Sequence, residues 1–188
     1  MTATIVDRRY SPLFQPVESL PPQKASQLVI HPAPIPFVRS LVAAWHSRVP
    51  VTQTGPWIIG YAATYEGTAF GVALWHNPSA RTLPHDWLEL RRLAIADDAP
   101  HCTASRMLGQ MRRDISTRFP DCPHLISYQD EDIHTGTIYR AAGWEPEFYS
   151  PPRQRDRTGR KSNGSLLRTI ANGISSDVAG KIRWGTKP

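Results

Sequence analysis

The segment from Trp87 to Trp144 constrains this chain more than any other. Leu88–Ile95 is an apolar strand that enters the polar loop 96–102, and the loop opens a helix. A second strand, Leu125–Tyr128, runs into the polar cluster Gln129-Asp130-Glu131-Asp132. A short helix carrying Tyr139 follows, and then the turn Ala142-Gly143-Trp144. Two strands joined through a helix pair in parallel. A strand that feeds a helix N-terminus leaves free N–H groups and the positive end of the helix dipole at the sheet's edge, which suits an anion.

The flanking pattern completes the element order. Gln27–Ile30 reads as a short first strand. Phe37, Val38, Leu41, Val42 and Trp45 recur at helical spacing, giving a helix from Pro36 to His46. Trp57–Tyr65 and Thr68–Trp75 flank Glu66-Gly67, the signature of a β-hairpin. A helix from Thr103 to Phe119, a short helix from Thr135 to Ala142 and a last strand Trp144–Tyr149 follow. The expected order is β-α-β-β-β-α-β-α-β, an α/β (α+β) fold with a mixed sheet and helices on both faces. The expected division is an irregular segment 1–27, a domain 28–152 and a basic C-terminal extension 153–188.

With 188 residues the chain suffices for one well-buried domain. It has no apolar run approaching the roughly 20 residues that span a bilayer, and Met1–Tyr10 lacks the apolar region of a secretory signal. Two cysteines make no disulfide framework. A cytoplasmic protein is the expectation. The net charge is +6, yet nine basic residues and two acids follow Tyr149, so residues 1–149 sum to −1. A stretch of that kind suits a polyanion such as nucleic acid, or serves as a solvated tail.

The candidate chemistry falls in two places. Thr103 reads as the N-cap of the long helix, while Ala104 and Ser105 are small enough to let a pyrophosphate approach the backbone. Ser105 offers a hydroxyl and Arg106 a charge. The loop is neither Walker A nor GxGxxG, so an ordinary capped helix is the alternative. At the end of the second strand, Asp130 is a general base, a metal ligand or a turn aspartate. Tyr139, with its ordinary pKa near 10, is an acid for a leaving thiolate or a core tyrosine. His46 closes the first helix. Glu89 and Arg91 form an ion pair or a pocket wall.

The hairpin, the strand Leu88–Ile95, the loop-helix start and Tyr139-Arg140-Ala141-Ala142-Gly143-Trp144 together resemble the GCN5-related N-acetyltransferase fold. Where that fold usually has arginine or glutamine followed by glycines, this chain has His101-Cys102-Thr103-Ala104-Ser105. LELRRLAI, TASR, SYQD and GTIYRAAGW narrow the likeness to the Mom family of phage DNA-modification proteins, over about Leu41 to Arg157. The resemblance implies an enzyme that uses acetyl-CoA to modify the N6 amine of adenine in double-stranded DNA. The implied product is a methylcarbamoyl-type adduct that shields phage DNA from restriction. It places Thr103, Ala104, Ser105 and Arg106 at the CoA phosphates, Asp130, Tyr139, His46 and Arg91 at the reaction centre, and iron on His46 and Asp130. The alternatives are a conventional N-acetyltransferase for a protein or small-molecule amine, and a non-catalytic DNA-binding protein.

Overall fold

The computed structural model describes residues 20–46, 56–152 and 179–188. After a single 3-10 turn (Ala25–Gln27) come β1 (Val29–Ala33), α1 (Ile35–Trp45), β2 (Trp57–Tyr65), β3 (Thr68–His76) and β4 (Leu88–Ile95). They are followed by α2 (Thr103–Arg118), β5 (Leu125–Asp130), α3 (Thr137–Ala141), β6 (Glu145–Ser150) and β7 (Lys181–Thr186). The seven strands form one sheet in the order β1-β2-β3-β4-β5-β7-β6. β4 and β5 run parallel, and every other neighbouring pair is antiparallel.

Local chemistry explains most of these elements. Glu66 and Gly67 both take positive φ, 47° and 79°, the backbone of a two-residue turn whose twist matches its strands. Gly143, at φ 73°, stops α3 as expected. Proline in the first turn of α1 gives up an N–H that has no helical partner there.

The sheet is covered on both faces. α1 sets Val38 and Val42 against Ala62, Val72, Leu74 and Ala94. α2 sets Met107, Leu108, Met111 and Ile115 on the other face, against Tyr61, Ala73, Trp75, Leu90 and Leu125. Those four α2 side chains are fully buried, and burial of each contributes about 1.5–3 kcal/mol.

Two sequence expectations need correction. First, the domain does not end at Pro152, because β7 comes from the stretch read as a basic extension. It inserts between β5 and β6, pairing Ser127 with Trp184 and Pro146 with Trp184. The basic residues Arg153, Arg155, Arg157, Arg160, Lys161 and Arg168 lie outside the described residues. In the sequence they fall between β6 and β7. Second, the strand read over Leu88–Ile95 is not regular along its length. Trp75 pairs with Leu90 and Leu74 with Arg92, so Arg91 is an extra residue, a β-bulge. The bulge reverses the alternation beyond it. Leu93 and Ile95 face α2, and Arg92 and Ala94 fall on the α1 side.

Candidate active site

β4 and β5 pair only at Leu88–Leu125, Glu89–Ile126 and Leu90–Ser127. Beyond that rung β4 stays with β3 as far as Ile95, and β5 stays with β7 as far as Asp130. The strands therefore part, and their facing edges carry amide and carbonyl groups without ladder partners. Such groups seek other hydrogen bonds.

Tyr139 reaches the point where they part. Its hydroxyl lies 2.9 Å from the Ser127 hydroxyl, which donates to the Leu90 carbonyl at 3.3 Å. With the Ser127 proton used in that way, Tyr139 is the donor to Ser127. Burial holds the Tyr139 phenol above its ordinary pKa, against the smaller opposing pull of Ser127, so the phenol keeps its proton at neutral pH.

β7 fixes this tyrosine. Trp184 is buried and stacks on Tyr139, with ring centroids 5.3 Å apart and planes 11° from parallel. Its Nε1 donates to Gln129 Oε1 at 2.8 Å, and Gln129 Nε2 donates to the His134 carbonyl. Gly136 sits against both side chains at φ 74°. An added Cβ there would lie 2.5 Å from Gln129 Oε1 and 2.6 Å from the Trp184 ring. Sequence reasoning missed Trp184 and gave Ser127 and Gln129, both within SYQD, no individual role. The signal for Trp184 was local: Ile182 and Trp184 alternate with Lys181 and Arg183, the period of a strand.

The N-terminus of α2 lies on the same face. Its N-cap is Cys102, in the left-handed conformation at φ 68° and without a side-chain cap, so Thr103 is not the cap. Thr103 is buried, and both its amide and its hydroxyl donate to the Pro100 carbonyl, at 3.2 and 2.7 Å. That removes it from the candidate phosphate ligands. The amides of Ala104 and Ser105 precede the first in-helix bond, from Arg106 N to Cys102 O, and are the orphan donors of a helix start. A groove of about 430 Å³ begins here, lined by Ser105, Arg106, Gly109, Arg112, Arg113 and Ala142. Small residues, helix-start amides and three arginines fit a pyrophosphate and a further phosphate.

The remaining predicted residues lie on the α1 face. His46 caps α1, its N–H donating to the Val42 carbonyl at 2.9 Å. Burial lowers its pKa, and the Arg92 guanidinium and the neighbouring His134 ring lower it further. His134 belongs to the turn whose amides at 133 and 134 bond the Asp130 carbonyl, so the structure draws His46 toward the end of β5. Arg91 Nη1 lies 2.9 Å from Glu89 Oε1, and Glu89 is almost fully buried. The carboxylate also accepts the Ser79 amide at 3.1 Å. Both readings of this pair hold, since Glu89 and Arg91 also line a cleft of about 530 Å³ with Tyr128, Phe148, Lys181 and Arg183.

The surroundings do not fit iron. Among the described residues no three of His, Cys, Asp and Glu gather as a metal site, and the Arg92 guanidinium stands near enough to His46 to lower its pKa. The pair His46 and Asp130 is not completed as a ligand set by any described residue. Among the described residues, too, no helix is long and apolar enough to cross a membrane.

Comparison with known proteins agrees with this geometry. The Mom protein family model matches residues 27–171. No curated protein matches the sequence. Among solved structures, the ribosomal-protein-S18-alanine N-acetyltransferase of Escherichia coli aligns with a TM-score of 0.55 at 13% identity, covering 85% of this chain and 93% of that one. A Bacillus subtilis acetyltransferase in complex with CoA aligns with a TM-score of 0.54 at 12% identity, covering 86% and 99%. A GNAT family acetyltransferase from Elizabethkingia anophelis with acetyl-CoA bound aligns with a TM-score of 0.51 at 14% identity, covering 86% and 99%. The fold is that of the GCN5-related N-acetyltransferases, and the chain belongs to the Mom protein family.

Proposed function

We propose that this Mom-family protein is a transferase that draws an acyl group from acetyl-CoA and delivers it to the N6 amine of adenine in DNA. The observation that carries the acyl-transfer reading is the protonated Tyr139 hydroxyl at the parting of β4 and β5, on the same face as the α2 N-terminus. The unpaired strand edges suit an amide-bearing arm such as pantetheine, and the α2 amides with Arg106 suit the phosphates behind it. Acetyl-CoA supplies an activated thioester.

The residues divide the work. A new carbon–nitrogen bond forms as the amine attacks the thioester carbonyl, and the carbon–sulfur bond breaks. Tyr139 gives its proton to the departing sulfur. Asp130, at the end of β5, takes the proton the amine sheds. One proton is given and one taken, so the step balances. Ser127 and Trp184 hold the phenol in place. Adenine as acceptor rests on the family's described activity and on the chain's positive charge. A methylcarbamoyl product needs a further carbon–nitrogen rearrangement, and no residue is assigned to it. Mass spectrometry of nucleosides from cells expressing the protein tests the reading. The expected result is a modified adenine that disappears in Tyr139→Phe. Soluble protein that turns over acetyl-CoA while all adenine stays unmodified assigns the chemistry to another amine.

A further inference from the structure

The α1-face cleft lies across the sheet from Tyr139 and opens at the same fork. Its floor is Glu89, Arg91 and Tyr128, from the two strands that part there. One wall is the β3–β4 loop at Ser79 and Ala80, and the other is β6–β7 with Phe148, Lys181 and Arg183. Its volume, about 530 Å³, belongs to sites for small molecules. A duplex does not fit, whereas a single unstacked nucleotide does.

The lining chemistry is specific. Phe148 is 54% exposed, although a large apolar ring on a strand ordinarily seeks cover. The Arg183 guanidinium lies 5.5 Å from the centre of that ring. An aromatic ring backed by arginine is a platform on which a base stacks. Three cations, Arg91, Lys181 and Arg183, face one carboxylate, and that carboxylate, Glu89, is buried beneath Arg91. Two further acids adjoin the cleft. Asp130 is the register partner of Lys181, and Glu147 lies 3.3 Å from Arg183. Arg91 keeps a 43% exposed side chain, able to meet a phosphate as well as Glu89.

We infer that this cleft holds one unstacked nucleotide of the DNA acceptor, with its base on Phe148 and its phosphates against Lys181 and Arg91. The inference rests on DNA being the acceptor and names the surface that receives it. Base-modifying enzymes commonly take their target base out of the helical stack, and a site of this size requires it. Arg183 braces the platform.

Fluorescence anisotropy of a labelled, adenine-containing single-stranded oligonucleotide tests the assignment, with calorimetric CoA binding as a check on the fold and the opposite face. Phe148→Ala is expected to weaken oligonucleotide binding about tenfold or more. Lys181→Gln is expected to reduce the slope of log affinity against log salt by about 0.7. Phe148→Leu, apolar but without a π face, is expected to follow Phe148→Ala, which covers the case in which the alanine variant misfolds. CoA binding stays at the wild-type level in all three. If wild-type protein modifies DNA in cells and the variants hold the oligonucleotide as tightly as it does, the cleft assignment is overturned and the DNA reading stands. If wild-type protein binds CoA but no DNA and leaves adenine unmodified, the DNA reading fails first.

Discussion

The Tyr139 hydroxyl stands 2.9 Å from the Ser127 hydroxyl, at the last rung joining β4 to β5. One hydrogen bond therefore ties α3 to the place where the sheet opens, and it orients a phenol that burial keeps protonated.

Tyr139→Phe removes the proton donor but keeps the ring against Trp184. Stability is expected to fall by only about 1 kcal/mol. Turnover is expected to fall by about 10²-fold or more, the usual worth of a positioned acid, with CoA affinity nearly unchanged. Single-turnover kinetics beside CoA titration separates the two. Turnover within a fewfold of wild type would make Tyr139 a packing residue.

Ser105→Asp sets two effects against each other at the start of α2. A negative charge there stabilises the helix by about 0.3–1 kcal/mol, and it also repels phosphate. The expected variant is at least as stable as wild type and binds CoA at least about tenfold more weakly. Thermal unfolding and calorimetry read both quantities. Unchanged CoA affinity would remove the α2 N-terminus from the binding site.

Asp130 has a local task, because its Oδ1 accepts the Asp132 amide at 3.2 Å. Asp130→Asn preserves that bond and removes the base, whereas Asp130→Ala removes both. If the carboxylate takes the amine's proton, both variants lose about 10²-fold or more in turnover. An active asparagine variant would reduce Asp130 to a turn former.

Trp184→Ala should cost about 3–5 kcal/mol through lost packing, and Trp184→Phe clearly less. Ending the chain before Ala179 deletes β7 and should abolish folding. Replacing residues 153–178 with a short linker should leave CoA binding intact. Urea unfolding of the four proteins checks the order. A stable, CoA-binding truncation would show that β7 is dispensable.

Stability should decline on acidification, in part through His76. Burial, aided by Arg91 and opposed by Glu89, lowers its pKa below 6.5. As pH falls through that value the unfolded chain takes the proton first, so the contribution is present above about pH 6.5 and lost below it. His76→Gln should flatten the loss between about pH 7 and 5 in urea titrations. An equally steep loss in the variant would place the effect elsewhere.

Much of this architecture was legible before any coordinates. Apolar spacing marked α1 and α2, Glu66-Gly67 marked the hairpin and Gly143 marked the end of α3. The motifs from Leu88 to Trp144 pointed to an anion site at a helix start. These signals are local, written in residues a few positions apart. The Arg91 bulge escaped because nothing in LELRRLAI says which residue its partner strand leaves unpaired. Thr103 misled because threonine just ahead of an apolar periodicity is a common N-cap, yet the loop's hydrogen bonds draw it inward to Pro100.

The sequence alone determined the order of elements, the helix whose start offers free amides, and the excess of positive charge near the C-terminus. The tertiary structure decided what those parts do together. It brought Trp184 onto Tyr139 across 45 positions of chain and placed β7 between β5 and β6. It also parted β4 from β5 and put Arg91 and Lys181 on one cleft. The division has a physical cause. Periodicity and turn chemistry are properties of neighbours, whereas strand pairing is chosen by which distant apolar faces bury one another, and the site is built from those pairings.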